Sequence, residues 1–388
     1  MAAYTNYRRD PRVRREAEAL IDAGYRVVFL ASRQPDEPKR ETINGVDVIK
    51  VFGMKNRRTS MAVYLMDYSL FTLSIFLHLL AHPRRYQVAH INNMPDFLVF
   101  GTLLHRLQGK PVIHDVHDLM PELFVEKFGS GEKHWGIGLL KWQERAAGRF
   151  ATAVLTVEER LKDILAARGI ARDKISVLMN LPDDRIFAPR PSRPPKAPGE
   201  PFVLVYHGTL ARRLGLDIAI RGVAKAIGQI PDLRLRIIGD GEERNALISL
   251  RDELGLRDAV SFSDGFVPVE QIPALLADVD AGLIPLRRSA GTDIMLPTKL
   301  LEYVTMGIPC LTPPTITIAR YFDESMVEFF EAEDVEALAR AIVRLYGDPA
   351  RRSYIARQAT TRFANIYSWS NQKLIYTRLV DRLVRCPK

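Results

Sequence analysis

The chain has 388 residues, 47% hydrophobic and 26% charged, which is an ordinary composition for a soluble globular protein and a length that favours two domains. Its two cysteines, Cys310 and Cys386, exclude a disulfide framework and favour a reducing cytoplasm. The formal net charge is +9, and residues 1–190 hold 29 Lys and Arg against 22 Asp and Glu. This basic half suits an anionic membrane surface or a phosphate-bearing substrate, or it is solvated surface charge. No RNA- or DNA-binding motif accompanies it, so no nucleic acid partner is expected.

The first predicted element is the helix PRVRREAEALIDAG, whereas a doubly wound domain normally opens on a strand. The pattern therefore predicts that the first strand and its glycine-bearing loop are missing. The start, MAAYTNYRRD, has no apolar core of a signal peptide. Short apolar runs predict the strands that follow: YRVVFLAS, DVIKVF, QVAHIN, KPVIHDV, TAVLTV and KISVLMN.

A long apolar stretch, residues 61–82, is interrupted by Asp67. The uninterrupted part is shorter than the roughly 20 residues that a membrane span needs. We therefore expect a buried helix or one that lies in the membrane interface, flanked by Arg57, Arg58, Arg84 and Arg85. The protein is expected to be cytoplasmic, with peripheral association at the inner face of the membrane as the further possibility.

A proline-rich stretch divides the chain, because prolines deny hydrogen bonds to both helices and strands. After it, strands are predicted at PFVLVYHG, LRLRIIGD, AVSFSDG, AGLIPL and IPCLTP, with helices at 217–229, 242–254, 271–277 and 334–346. Strands that alternate with helices indicate parallel sheets. The predicted organisation is a doubly wound domain over 1–187, a linker over 188–200, a second such domain over 201–368, and a final helix over 369–388.

Ligands of parallel sheets bind where strands end, and two such places contain glycine. In VYHGTLARRLGLD, residues 205–217, Gly208 lets backbone N–H groups approach a phosphate, and Arg212 or Arg213 adds charge. The alternative is an ordinary turn with surface arginines. In IIGDGEE, residues 237–243, the glycines are a weaker signal, and a tight turn with Asp240 as helix N-cap explains them equally well.

The segment PTKLLEYVTMGIPC, residues 297–310, predicts a short buried helix with Thr298 as N-cap and Gly307 as its stop. Leu300 and Leu301 belong to its packed face. Lys299 and Glu302 share another face in the first turn, at the positive end of the helix. There Lys299 would add a charge for phosphate, and Glu302 could accept hydrogen bonds from the vicinal hydroxyls of a sugar.

The segment VIHDVHDLMPE, residues 112–122, crowds His114, Asp115, His117 and Asp118 at the end of a strand. A metal site has to be considered, but alternate residues of a strand point to opposite faces. A single histidine that projects into a cleft is the favoured interpretation, and no metal or other cofactor is expected.

These motifs, in this order, resemble a bacterial glycosyltransferase of family 4 over nearly the whole chain, from about residue 10 to the YSW at 367–369. The resemblance implies the GT-B fold, with two Rossmann-like domains that face a central cleft. It implies transfer of a sugar, with retention of anomeric configuration, from a nucleotide-sugar donor without a required metal. It also implies that the final helix crosses back to the first domain.

Carried over by position, the resemblance assigns Glu302 to the donor ribose, and His117 of the first domain to the sugar. Lys299 and Arg213 would stabilise the departing diphosphate, which makes these two and His117 the candidate catalytic residues. The candidate donor-binding residues are Gly208, Thr209, Arg213, Gly239, Asp293, Thr298, Lys299, Leu300, Leu301 and Glu302.

Three positions depart from the family pattern. Ile294 stands where the first motif glutamate is expected, with Asp293 beside it; Thr209 replaces an arginine; and Leu214 replaces a basic residue, which leaves Arg213 to substitute. The predicted function is a retaining glycosyltransferase that uses a UDP- or GDP-sugar and a lipid-linked or polysaccharide acceptor in cell-surface glycan synthesis. A nucleotide-sugar epimerase of the same architecture and a non-catalytic subunit that binds sugar or a membrane partner are the alternatives.

Overall fold

The structure, a computed structural model, describes residues 1–33, 37–53, 61–128, 134–191, 199–230 and 232–385. The chain divides into two compact units, Met1–Asn180 with Ser370–Lys388, and Leu181–Trp369. The first unit therefore ends seven residues before the predicted boundary at 187. Most of the predicted linker, together with Arg57, Arg58 and Cys386, lies outside the described residues.

The N-terminal unit is built on parallel strands in two sheets. The strands are β1 Val28–Arg33, β2 Arg40–Ile43, β3 Val46–Gly53, β4 Ala89–Asn92, β5 Val112–Val116, β6 Ala153–Thr156 and β7 Ile175–Val177. One sheet has the order β1-β3-β2, with β2 antiparallel at its edge, and the other has the order β4-β5-β6-β7. Every strand predicted in this half is present, and the exposed edge strand β2 was not predicted.

The leading residues join these two sheets through isolated bridges, and among the described residues no strand precedes α1. Ala2 forms parallel bridges to Leu30 of β1 and to Ile91 of β4. Its N–H donates to the carbonyl of His90 at 2.8 Å, and its carbonyl accepts from the N–H of Asn92 at 2.9 Å. A stub centred on one residue thus takes the first-strand position. Met-Ala-Ala is too short to display an alternating pattern, so this stub could not be predicted from the sequence.

The helices of this unit are α1 Pro11–Asp22, α2 Met61–Ala81, α3 Leu103–Leu107, α4 Met120–Phe128, α5 Trp135–Phe150 and α6 Glu159–Ala167. Helix α1 begins with Pro11 at its first position, where proline is favoured, and the Asp10 side chain accepts from the N–H of Arg12. Near the end of the chain, a helix covers Trp369–Arg385, and all of it except Trp369 belongs to this unit.

Helix α2 is long and apolar enough to cross a membrane by length and composition alone, and 17% of its most apolar window is buried. One face packs on the unit, because Asp67, Phe71 and Ile75 are buried. The Tyr4 hydroxyl donates to the Asp67 carboxylate at 3.5 Å, which gives this acidic residue a partner within an apolar helix. The opposite face is exposed, so α2 is not enclosed in the hydrophobic core.

The C-terminal unit contains six parallel strands: β8 Phe202–His207, β9 Leu233–Ile238, β10 Val260–Phe262, β11 Ala281–Leu283, β12 Cys310–Thr312 and β13 Glu328–Phe329. They form one sheet in the order β10-β9-β8-β11-β12-β13. This is the doubly wound order, in which the order of the strands reverses between the first and fourth strands, here β8 and β11. The two-residue β13 was not predicted.

Helices cover both faces of this sheet. They are α7 Leu216–Ala226, α8 Arg244–Glu253, α9 Ile272–Leu275, α10 Ala290–Asp293, α11 Thr298–Thr305, α12 Ile316–Tyr321, α13 Val335–Gly347 and α14 Pro349–Ala359, and the helix at Trp369–Arg385 is α15. Helix α8 starts at Arg244, with Glu243 at the N-cap position, so Asp240 is not its N-cap. Asp240 instead accepts a hydrogen bond from the N–H of Gly241 at 2.9 Å.

Candidate functional site

Two glycines meet at the carboxyl ends of β8 and β9, beside the switch point of the sheet. Gly208 has φ +118° and Gly239 has φ +135°, so both adopt backbone conformations that side chains disfavour. A Cβ on Gly239 would lie 2.0 Å from the carbonyl oxygen of Gly208. The two loops therefore touch backbone to backbone, and the N–H of Gly208 donates to the carbonyl of Ile238 at 2.8 Å. Gly239, weak as a sequence signal, is required here for close packing.

Lys299 reaches this loop from the first turn of α11. Its ammonium donates to the Tyr206 hydroxyl at 2.8 Å and lies 4.1 Å from the centre of the same ring. A Cβ on Gly208 would be 3.2 Å from Lys299 Nζ, so the cation sits directly against the glycine loop. Burial lowers the pKa of Lys299 to about 7, although the Glu302 carboxylate opposes the shift. A cation held where its charge is poorly solvated attracts an anion strongly.

Glu302 lies one turn further along α11 and contacts the end of β8. Its carboxylate pairs with Nε2 of His207, whose Nδ1 is 2.9 Å from the Tyr303 hydroxyl. The Glu302 side chain is 14% exposed. The carboxylate is therefore oriented by an imidazole and retains some accessible surface for a ligand.

Arg213 and Thr209 occupy the loop after β8. Arg213 lies in a short 3₁₀ segment, Arg212–Leu214, and is exposed. Its positive charge contributes to the lowered pKa of Lys299, so the two cations face the same region. Thr209 is exposed, and its carbonyl accepts from the Tyr206 hydroxyl at 2.6 Å. A glycine loop with two cations beside it is an anion-binding arrangement.

The start of α11 differs from the prediction in one respect. Thr298 is the first helical residue and Pro297 takes the N-cap position without a side-chain cap, so the prediction of Thr298 as N-cap was wrong. Proline at 297 has no side-chain acceptor, so the N–H groups of Thr298 and Lys299 receive no cap from it, whereas those of Leu300 and Leu301 donate to the Pro297 carbonyl at 3.0 and 3.4 Å. The side chains of Leu300 and Leu301 are buried at 0% and 2% exposure and belong to the packed face of the helix. Gly307 ends the helix at φ +69°, as predicted.

In the N-terminal unit, the end of β5 places Asp115 and His117 together. Asp115 Oδ2 is 3.2 Å from Nε2 of His117 and 3.2 Å from Nε2 of His90. His114 points to the opposite face, where it pairs with Asp96 at 3.3 Å, and Asp118 is exposed. The four neighbouring residues therefore do not converge on one point, as the alternation of a strand requires.

Among the described residues, one group could hold a metal ion by distance: Glu16, His90 and Asp115, whose ligand atoms lie within 4.8 Å of one another. All three side chains are buried. The charge of Arg12 already acts on Glu16 and Asp115, and the two nitrogens of His90 are hydrogen-bonded. These hydrogen bonds and charges of the protein explain why the three side chains lie close together.

Two family models match this chain, one in each of its two compact units. The Glycosyl transferase 4-like domain model matches residues 10–180, and the Glycosyl transferases group 1 model matches residues 201–348. The chain is 30% identical to the 2-deoxystreptamine glucosyltransferase of Streptomyces kanamyceticus over 67% of its own length and 68% of that protein. The chain belongs to the family 4 glycosyltransferases.

Two further proteins show how far this likeness extends. The chain is 30% identical to the GDP-mannose-dependent alpha-(1-6)-phosphatidylinositol monomannoside mannosyltransferase of Mycolicibacterium smegmatis over 39% of its length and 41% of that protein. The Anabaena protein HepE, solved with UDP-glucose, superposes with a TM-score of 0.71 at 15% identity over 98% and 99% of the two chains, which confirms the GT-B fold. In three of the curated relatives the match spans 24% to 41% of their length. The relatives are transferases, so the epimerase alternative is not favoured.

The predicted site residues fall into three groups. Gly208, Gly239, Lys299 and Glu302 lie around the ends of β8 and β9, with Thr209 and Arg213 in the adjoining loop. Asp293 ends α10 and pairs with Arg288. His117 belongs to the other unit.

Sequence reasoning missed the aromatic and imidazole partners of Lys299 and Glu302. Tyr206 and His207 stand directly before the glycine in VYHG. Polar side chains at the end of a buried strand were the signal that could have identified these two residues as part of the site. Tyr303 sits inside the apolar face of α11, where nothing in the sequence separates it from a packing residue. Its hydroxyl contact with His207 is a tertiary feature.

Proposed function

We propose that this protein transfers a sugar, with retention of configuration, from a nucleotide-sugar to a glycan or lipid-linked acceptor in cell-surface glycan synthesis. The observation that carries the proposal is the arrangement of Lys299 and Glu302 on one helical turn against the Gly208 loop. It combines an anion site with a carboxylate, which are the two recognition elements that a nucleoside diphosphate requires.

Each residue has a distinct task in this proposal. The backbone at Gly208 and the first turn of α11 bind the diphosphate, because unpaired N–H groups at a helix start favour anions. Lys299 and Arg213 stabilise the negative charge that grows on the departing nucleoside diphosphate. Glu302 accepts hydrogen bonds from the ribose hydroxyls, and His117 acts on the transferred sugar. Asp293, at the end of α10, and Thr209, in the loop after β8, are proposed to contact the donor.

The nucleotide is proposed to be UDP or GDP. HepE binds UDP-glucose in its solved structure, and the Mycolicibacterium relative is GDP-mannose-dependent. We further propose that turnover needs no divalent metal, because two cations of the protein already face the glycine loop. Activity that is abolished by EDTA and restored by manganese would contradict this proposal.

The test incubates the purified protein with a panel of UDP- and GDP-sugars and measures released nucleoside diphosphate with and without glycan acceptors. We expect release with one nucleotide class, stimulated by an acceptor, and loss of release in Lys299→Met. Lys225→Met is the matched control, since Lys225 pairs with Glu336 on the surface of the same unit. An isomerised sugar without release would support an epimerase, and no nucleotide binding at all would support a non-catalytic role.

Peripheral association with an anionic membrane is proposed as the location of this activity. Helix α2 exposes a row of large apolar side chains: Leu65, Met66, Leu70, Leu73, Leu77 and Leu80. Its other face is anchored on the unit by Phe71 and Ile75, which favours an interfacial rather than a spanning helix. Arg84 and Arg85 follow the helix and are exposed, where each basic residue adds about 1 kcal/mol on an anionic surface.

Co-sedimentation with neutral and anionic vesicles at low and high salt tests the location. We expect binding to anionic vesicles that falls as salt rises, and weaker binding after the double change Leu73→Gln and Leu77→Gln. Leu254→Gln, a change to an exposed leucine of the other unit, is the control. Equal recovery in the supernatant with both kinds of vesicle would contradict the proposed location.

A further inference from the structure

We propose that Asp115 is a positioning residue for His117, and that His90 and Tyr376 hold Asp115 in place. The role of His117 in turnover rests on the proposed function, whereas the arrangement of the four side chains rests on geometry alone. Tyr376 comes from α15, so the final helix of the chain supplies one end of the arrangement.

The four side chains form a continuous buried row. The Tyr376 hydroxyl is 2.7 Å from Nδ1 of His90, and Nε2 of His90 is 3.2 Å from Oδ2 of Asp115. The same Oδ2 is 3.2 Å from Nε2 of His117. Exposure is 0% for Tyr376, 3% for His90, 1% for Asp115 and 6% for His117, so water does not compete for these contacts.

The row determines where each proton lies. Nε2 of His117 faces Oδ2 of Asp115 and Oδ1 of Asn92, the latter at 2.9 Å, so Nε2 must carry the proton. The amide of Asn92 can turn and present its NH₂ group, whereas an ionised carboxylate can only accept. Asp115 therefore fixes the tautomer, and Asn92 alone would not.

Protonation of the surrounding groups supports this order. Burial alone would raise the pKa of Asp115, but His117 and His90 hold it below its ordinary value, so Asp115 is ionised. Burial and the charge of Asp115 raise the pKa of Glu16, which is therefore neutral. Burial lowers the pKa of His90 and raises that of Tyr376, so the tyrosine remains a hydroxyl that donates to Nδ1. The negative charge of the row lies on Asp115.

The consequence for His117 lies at its other nitrogen. Nδ1 is buried and has no hydrogen-bond partner among the described residues. With the proton fixed at Nε2, Nδ1 is an acceptor, and it can receive a hydrogen bond from a sugar hydroxyl. Without Asp115, part of the protein would carry the proton at Nδ1 and offer a donor instead. This arrangement resembles other cases in which a carboxylate fixes a histidine tautomer.

The test is a long-range ¹⁵N–¹H spectrum of the unliganded, histidine-labelled protein, with His117 assigned by His117→Gln. We expect a single Nε2–H tautomer of His117 in the unaltered protein and a mixture of tautomers in Asp115→Ala. Asp115→Asn keeps an acceptor without the charge, and it should lie between the two. A single unchanged tautomer in Asp115→Ala would overturn the proposal, and circular dichroism confirms that each variant is folded.

Turnover of the donor found in the panel gives the second readout. We expect kcat to fall about tenfold or more in Asp115→Ala, the usual effect of losing such a supporting partner, while KM for the donor changes little. Tyr376→Phe should lower kcat by a smaller factor. Glu16→Gln is the control because it changes a neighbouring buried carboxyl group that is already neutral. A fall in kcat in Glu16→Gln as large as in Asp115→Ala would overturn the proposal.

The two readouts separate this proposal from the proposed function. The tautomer is measured without substrate, so a protein that turns over no nucleotide-sugar still reports whether Asp115 fixes His117. A mixed tautomer in the unaltered protein overturns the positioning role even when turnover is found.

Discussion

Each unit holds a carboxylate against a histidine at the end of a parallel strand, but the Asp115 carboxylate is buried and the Glu302 carboxylate is only partly buried. In the N-terminal unit, Asp115 is 1% exposed and lies between two imidazoles. In the C-terminal unit, the Glu302 side chain is 14% exposed and lies one turn from the cation of Lys299. A carboxylate enclosed by protein partners can position a neighbour, whereas one that keeps accessible surface beside a cation can bind a ligand.

The largest expected effect comes from the backbone contact that shapes the C-terminal site. In Gly239→Ala the new Cβ would meet the Gly208 carbonyl at 2.0 Å, so the loops must separate. We expect the free energy of unfolding to fall by about 3 kcal/mol and nucleotide binding to be lost. Denaturant unfolding and calorimetry measure the two effects.

Gly255→Ala is the matched control for this change. Gly255 also has a positive φ, +68°, but no atom lies within 4 Å of its added Cβ. It should lose a smaller amount of stability and keep its nucleotide affinity. Equal effects of the two substitutions would show that backbone strain, and not the contact between the loops, matters at residue 239.

The next effect tests Glu302 as a ligand rather than a structural carboxylate. In Glu302→Gln we expect nucleotide binding to weaken by about 1–3 kcal/mol, the usual cost of losing a charge-assisted hydrogen bond. Isothermal titration with UDP and GDP measures it, and Glu253→Gln on the exposed surface of the same unit is the control. Unchanged affinity in a folded Glu302→Gln protein would remove Glu302 from the donor site.

A smaller effect is expected from pH. The pKa of Lys299 is lowered to about 7 in the free protein, and a bound diphosphate raises it, since the anion favours the ammonium. Binding therefore takes up a proton above pH 7, and affinity is highest below pH 7 and falls as the pH rises through it. The decrease is at most about tenfold per pH unit.

Titrations in buffers of different ionisation enthalpy count the protons taken up. Lys299→Arg keeps a positive charge that does not titrate in this range, so its affinity should lose this dependence. An affinity of the unaltered protein that is constant from pH 6.5 to about pH 8.5 would contradict the role of Lys299 as the phosphate cation.

The fold was predictable because its signals are local. Apolar runs and helical periodicity marked most of the strands, and the Gly307 stop marked the end of α11. The first-strand position was not predictable, since it depends on the bonds of Ala2 to two separate strands. Edge strands such as β2, with alternating exposed residues and no buried run, also gave a weak signal.

The candidate sites were predictable only in part, because the sequence shows local spacing but not contacts between distant residues. Lys299 and Glu302 could be placed on one helical face because their spacing is local. The partners that orient the charged groups could not be placed. Tyr206 lies 93 residues from Lys299, and Tyr376 lies 286 residues from His90, so only the folded chain brings them together.

The most direct measurement compares Glu302→Gln with Asp115→Ala in parallel, with nucleotide affinity by calorimetry and turnover of the donor as the two readouts. We predict that Glu302→Gln weakens nucleotide binding, and that Asp115→Ala leaves binding within about twofold of the unaltered protein but lowers kcat about tenfold. Loss of nucleotide affinity in both folded variants, or in Asp115→Ala alone, would contradict the assignment of nucleotide binding to one unit and histidine positioning to the other.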